Sequence, residues 1–118
     1  MHPHLTPLQQ IAELDQLLTE SGNRPLLLFK HSYSCGISAE ALDELTAHLD
    51  SAERGTARYA MVTVQTHRDV SNAVAAKLGI RHETPQALLV RDGQVVWAAS
   101  HFRVTAQAVE AAIKAAAQ

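Results

Sequence analysis

The chain carries a single cysteine, Cys35, so no internal disulfide can form. The reducing cytoplasm is the expected compartment for such a chain. It also lacks an excess of basic charge: the formal net charge is −2. A phosphate backbone or an anionic membrane calls for a basic face, so neither nucleic acid nor membrane is an expected partner. No apolar stretch approaches the ~20 residues that span a bilayer. The start, MHPHLTPLQQIAELDQ, has no basic segment followed by an apolar one, so no signal peptide is expected. Repeats, low-complexity tracts and linkers are missing as well. The seven histidines offer no i, i+4 pair, and no metal site is expected from their spacing.

What remains is 118 residues, 47% apolar and 19% charged. That is one ordinary globular domain. Thr6-Pro7 reads as a cap with proline at the first helical position. Leu8, Ile11, Leu14 and Leu18 then recur at helical spacing to about Glu20, with Gly22 as the stop. Leu26 to Phe29 is a short buried strand after Pro25. Ile37, Ala41, Leu45 and Leu49 mark a helix over about 36–52. Tyr59 to Val64 is a second strand. Val70, Ala73, Val74 and Leu78 mark a third helix, ended by Gly79. Ala87 to Val90 and Val95 to Ala99 form a hairpin about Asp92-Gly93, and Thr105 caps an alanine-rich helix to about Ala116.

The order α-β-α-β-α-β-β-α predicts a thioredoxin-like α/β fold: a central four-stranded mixed sheet flanked by helices, one domain over 1–118. Two residues raise that expectation. Cys35 directly follows the first strand and opens the next helix. Pro85 directly precedes the third strand. Those two places face each other in a thioredoxin-like fold, and the proline there is cis; an X-Pro bond is the kind that adopts cis at modest cost.

A cysteine at a helix start meets unpaired backbone N–H groups and the positive end of the helix dipole, and both favour the thiolate. The thiolate is the form that attacks a disulfide. Lys30 and His31, just upstream, are expected to add positive potential. Tyr33, Ser34, Gly36 and Ser38 are small or polar neighbours, unlike the company of a core cysteine. Ser38 stands where a dithiol protein carries a resolving cysteine. Its hydroxyl can donate to a thiolate but cannot displace a disulfide. Any disulfide of Cys35 is therefore intermolecular.

Phe29-Lys30-His31-Ser32-Tyr33-Ser34-Cys35-Gly36-Ile37-Ser38 resembles the F-K-H-S-x-x-C-P-I-S signature of monothiol bacilliredoxins of the YtxJ type. The likeness continues through Val70-Ser71-Asn72-Ala73, Leu78-Gly79-Ile80, His82-Glu83-Thr84-Pro85-Gln86, Asp92-Gly93, Val95-Val96-Trp97 and Ser100-His101. Gly36 departs from it, replacing the usual proline and making the motif read like the C-G-F-S of monothiol glutaredoxins. The resemblance implies an oxidoreductase that takes bacillithiol, or a similar low-molecular-weight thiol, from mixed disulfides on cytosolic proteins through a Cys35 adduct. The small thiol is then a co-substrate and no cofactor is needed; the protein is a monomer or weak dimer. Thr84 and Pro85 are expected substrate-binding residues, with a cis Pro85 leaving the backbone of Thr84 free to pair with an extended substrate cysteine. Bacillithiol has a malate group with two carboxylates, so Lys30, Ser100, His101, Arg103 and the start of the last helix are expected contacts. Two alternatives stand beside this: an iron–sulfur carrier ligated through Cys35, kept open by Gly36, and a thiol-sensing adaptor without turnover. His48, His67 and His82 are expected to be surface or structural, and Trp97 to be core.

Overall fold

A computed structural model describes residues 2–117 of the chain. Five strands and four helices alternate: β1 (Leu5–Pro7), α1 (Ile11–Glu20), β2 (Leu26–His31), α2 (Gly36–Asp50), β3 (Arg58–Thr63), α3 (Arg68–Leu78), β4 (Gln86–Arg91), β5 (Gln94–Ser100) and α4 (Ala106–Ala116). Short 3₁₀ turns at Ala52–Arg54 and His101–Arg103 lead out of α2 and into α4. The sheet order is β1-β3-β2-β4-β5. The first three strands run parallel, and β4 and β5 are antiparallel to the strand before them in that order.

The sheet thus has five strands, where the periodicity predicts four. The missed one is β1, read as a helix cap at Thr6-Pro7. Three residues are too few to show an alternating pattern. Proline is tolerated there because β1 is an edge strand, whose outward amide has no ladder partner to lose. Leu5 aligns with Tyr59, and Leu8 N–H donates to the Met61 carbonyl at 2.8 Å. Helix α1 begins at Ile11 instead. There the Glu13 carboxylate accepts from the amides of Gln9 and Gln10, both at 2.9 Å, satisfying orphan donors of the helix start.

Period-2 alternation on β2 divides the molecule into two cores. Leu27 and Phe29 face α2 and α4, joining Ala41, Leu45, Leu49, Val109 and Ile113. Leu26 and Leu28 face α1 and α3, joining Leu14, Val70 and Val74. A strand buried on both faces reads as a continuous apolar run, as Leu26 to Phe29 does. Trp97, on edge strand β5, is half-buried and packs against the first core. At the hairpin, Asp92 has φ 52° and Gly93 φ 72°, the positive pair that a two-residue turn of primed type demands.

Candidate active site

Strand pairing gathers four connections at one end of the sheet. Lys30, near the end of β2, aligns with Gln86 at the start of β4, and Gln86 aligns with Ser100 at the end of β5. His31 aligns with Thr63 at the end of β3. The segments after β2, after β3, before β4 and after β5 therefore leave from the same edge. They carry Cys35, Gln65, Pro85 and His101.

Cys35 is the N-cap of α2, half-buried, with extended backbone (φ −122°, ψ 121°). Its carbonyl accepts the Ala39 amide at 3.1 Å. The first turn of α2 contains no acidic residue, so no carboxylate competes for the helix end. An ordinary N-cap offers a side-chain oxygen to the first-turn amides. Here a sulfur stands in that position and remains partly open to a partner. A Cβ on Gly36 would meet nothing within 4 Å. The first helical position thus has room for the proline that Gly36 replaces.

Gln65, just after β3, clasps the loop before the cysteine. Its Nε2 donates to Ser32 Oγ at 2.5 Å and Ser34 Oγ at 3.1 Å, and its Oε1 accepts the Tyr33 amide at 3.3 Å. The Ser32 and Ser34 hydroxyls also lie 3.4 Å apart. With its backbone tied down, the Tyr33 side chain points outward and is 66% exposed.

Ser38 is fully buried and committed elsewhere than to the thiol. Its Oγ accepts the Ser32 amide at 3.0 Å and lies 2.8 Å from His31 Nδ1. Its Oγ is thus bonded twice within the scaffold, where the sequence leads one to expect a bond to the thiolate. Burial pushes the His31 pKa below its ordinary 6.5, which keeps the ring neutral at physiological pH. The ring also stacks on Phe29, with centroids 6.0 Å apart. His31 therefore supplies order to the loop rather than the expected charge.

Lys30 is corrected too. Alternation on β2 turns it away from Phe29 and His31, onto the face opposite α2. It is fully buried, with Nζ 3.0 Å from His82 Nδ1. Burial lowers its pKa from 10.5 to about 8. A side chain sealed in this way is no surface contact for a carboxylate. His82 Nε2 in turn lies 3.3 Å from Thr84 Oγ1. Burial first, then the Lys30 and Arg68 charges, lower the His82 pKa, with Glu83 opposing. The ring is thus a neutral acceptor for the lysine. This pair ties β2 to the segment entering β4.

The Thr84–Pro85 peptide is cis. The Pro85 carbonyl accepts the His101 amide at 2.9 Å. His101 holds φ 57°, a left-handed conformation that costs a non-glycine residue about 1 kcal/mol and clusters at functional sites. Ser100 Oγ donates to the Glu83 carboxylate. Beside this turn lies a groove of about 600 Å³ lined by Arg81, Glu83, Gln86, His101, Phe102 and Arg103, among others. The two guanidinium groups make it cationic. The start of α4, by contrast, already holds a carboxylate: Glu44 accepts the Ala106 amide at 2.9 Å, and Thr105 Oγ1 accepts the Ala108 amide at 3.1 Å. It is no free carboxylate site.

Reading the sequence alone misses Gln65, Arg81, Glu83, Gln86 and Phe102, and takes His82 for a bystander. Of these only Glu83-Thr84-Pro85-Gln86 had a local signal, its place before a strand. His48 is buried and structural, with Nε2 2.6 Å from Tyr59 Oη. His67 lies 2.8 Å from Thr66 Oγ1. Among the described residues, no three His, Cys, Asp or Glu side chains gather as a metal site would require, and no helix is long and apolar enough to cross a membrane.

Comparison with known proteins agrees with this geometry. A solved structure described as a candidate oxidoreductase with a thioredoxin fold superposes with TM-score 0.81 at 31% identity, over 92% of this chain and 93% of that one. The fold is shared with thioredoxin from Trypanosoma brucei brucei (TM-score 0.78, 9% identity, 99% and 94% coverage). It is shared as well with mitochondrial thioredoxin 3 from Saccharomyces cerevisiae (0.72, 20% identity, 94% of each chain). The family model for the monothiol bacilliredoxin BrxC matches residues 6–109, a span that includes the cysteine, the Gln65 clasp, the proline and the cationic groove. With a thiol-redox family matched over most of its length, this thioredoxin-fold chain belongs to the monothiol bacilliredoxins.

Proposed function

We propose that the protein removes a carboxylate-bearing low-molecular-weight thiol, bacillithiol in the first instance, from mixed disulfides on cytosolic proteins. The observation that carries this reading is the lone thiol at the N-cap of α2, with the residue three positions on, Ser38, locked into the scaffold. Nothing within the chain can resolve a disulfide at Cys35. In the first step the Cys35 thiolate attacks the small thiol's sulfur. The mixed disulfide breaks, a Cys35–small-thiol disulfide forms, and the target leaves as its thiolate. In the second, another small-thiol thiolate attacks the sulfur of the first, releasing the symmetric small-molecule disulfide and the Cys35 thiolate. The mixed disulfide and one free small thiol become the protein thiol and the symmetric small-molecule disulfide: one small-thiol sulfur is oxidised as the target's sulfur is reduced, and no cofactor takes part.

The protein's part is to bind and orient. The cationic groove suits the carboxylates of the small thiol, with Arg103 and Arg81 as donors and His101 beside them. The backbone of Thr84 would pair with an extended substrate beside Pro85, whose own carbonyl is held by the His101 amide. The protein acts as a monomer or weak dimer.

Mass spectrometry of a quenched reaction on one bacillithiolated protein tests this. Wild type should accumulate one small thiol heavier, on Cys35, and Cys35→Ser should be inert. Accumulation of a disulfide with the target protein, or consumption of substrate without an adduct, would overturn the transfer mechanism.

A further inference from the structure

A second groove, of about 360 Å³, lies on the other side of the His101–Arg103 turn. It shares His101 and Phe102 with the cationic groove as a common wall. Its floor is apolar, from Ile37, Ala41 and Val104, and its rim is acidic, from Glu40, Asp43 and Glu44. These acids stand at i, i+3 and i+4, hence on one face of α2. Glu44 is used to hold the Ala106 amide. Glu40 and Asp43 are exposed, and the ion pairs among the described residues do not involve them. The only basic side chain lining this groove is His101.

We propose that this groove docks the protein half of the mixed disulfide and selects target cysteines flanked by lysine or arginine. The inference rests on the transfer reading above. Three features argue for it together. The groove begins at Ile37, two residues past the nucleophile, so a protein whose mixed disulfide is attacked by Cys35 has the residues flanking its own cysteine within reach of the groove. From Cys35 to Glu44 the helix rises about 14 Å, the reach of about four extended residues. Phe102 is 68% exposed beside the carboxylates. An open aromatic face next to unpaired carboxylates takes the stem and head of a basic side chain through apolar, cation–π and ionic contact at once. The two grooves carry opposite charge across one wall. A mixed disulfide laid across Cys35 is thereby oriented: its carboxylate-bearing half goes to the arginines and its basic half to the acids. That orientation presents the small thiol's sulfur, rather than the target's, to the Cys35 thiolate.

Two peptides, each bacillithiolated at a single central cysteine, read this out. One carries Lys and Arg at the four positions beside the cysteine, the other Ser and Ala. Wild type should turn over the basic peptide with kcat/KM about tenfold higher at low salt, and the ratio should shrink at high salt. Glu40→Gln with Asp43→Asn should bring the ratio towards one. Turnover of both peptides at equal kcat/KM, or a preference that survives the double substitution, overturns the inference and leaves the transfer reading standing. If neither peptide is turned over, the transfer reading fails. Cys35→Ser binding to the two reduced, fluorescently labelled peptides then still decides the groove: tighter binding of the basic one supports it, and equal binding overturns it.

Discussion

Lys30→Met should stabilise this protein at neutral pH. The ammonium is fully buried, and its pKa falls from 10.5 in the unfolded chain to about 8 in the fold. At 1.36 kcal/mol per pH unit, holding that charge inside costs about 3 kcal/mol at pH 7. Methionine keeps the stem and most of the volume and removes the charge. It also forfeits the bond to His82, worth about 1 kcal/mol. The net gain is about 2 kcal/mol, or about 8 °C in Tm for a chain of this length. The sign against pH follows from the depressed pKa. Between pH 8 and 10.5 the unfolded chain holds a proton that the folded chain has released, so wild-type stability rises with pH there. The cost shrinks to about 1 kcal/mol by pH 10. Thermal and urea unfolding of both proteins at pH 7 and pH 10 should therefore show the variant's advantage fading as pH rises. A variant less stable than wild type at pH 7, or a difference that does not change with pH, would refute the idea that a desolvated ammonium sits under the 82–85 segment.

Gly36→Pro should stabilise by about 0.4–1 kcal/mol, because the site is the first turn of a helix, Cys35 before it is extended, and no neighbour lies within 4 Å of the added Cβ; a lower urea midpoint would contradict this. Gln65→Ala removes three bonds to the loop before the cysteine and should cost about 1–3 kcal/mol, with faster amide exchange at Tyr33 and Cys35. Unchanged exchange at Tyr33 would show that the clasp does not order the loop. Burial holds the His31 pKa below 6.5, so folding releases a proton there and wild-type stability should decline as pH falls below 6.5. His31→Gln should flatten that decline, measured by thermal unfolding from pH 7 to pH 5; an undiminished slope would assign it to His82, whose pKa is lowered as well.

The fold was legible where one side chain in two or four had to face a core. The series Ile37, Ala41, Leu45, Leu49 obeys the helical period, Leu26 to Phe29 is a continuous apolar run because both faces of its strand are covered, and both elements lie where the sequence places them. β1 escaped because three residues, one a proline, make no pattern. The place of Cys35 was legible because it follows an apolar run and opens a helix. Its surroundings were not. Sequence proximity put Lys30 and His31 at the thiol, yet on a strand adjacent residues face opposite ways. One side chain went to the far face and the other was consumed by Ser38. Gln65 lies 30 positions after Cys35, and only the β2–β3 pairing brings it to the loop. No local pattern encodes such a contact.

Those unforeseen contacts share a logic. On the proposed transfer reading, a cysteine with no internal partner meets two different molecules in turn, so its loop has to hold its shape without help from a substrate. Each side of the loop is pinned by a polar group that the fold has to satisfy. Gln65 pins Ser32 to Ser34 from β3, and Ser38 with His31 pins Ser32 from α2. Across the sheet, Lys30 and His82 pin the segment ahead of Pro85, at a cost in stability that an apolar residue would avoid. A buried lysine is retained against that cost when the segment it anchors matters more than the stability it removes, since stabilising changes elsewhere in a protein are easily found. The 82–85 segment, with the cationic groove beyond it, is where the small thiol is expected to lie. Lys30→Met should then uncouple the two properties, giving a more stable protein whose KM for the small thiol is higher. A variant both more stable and fully active would show that the lysine serves neither end.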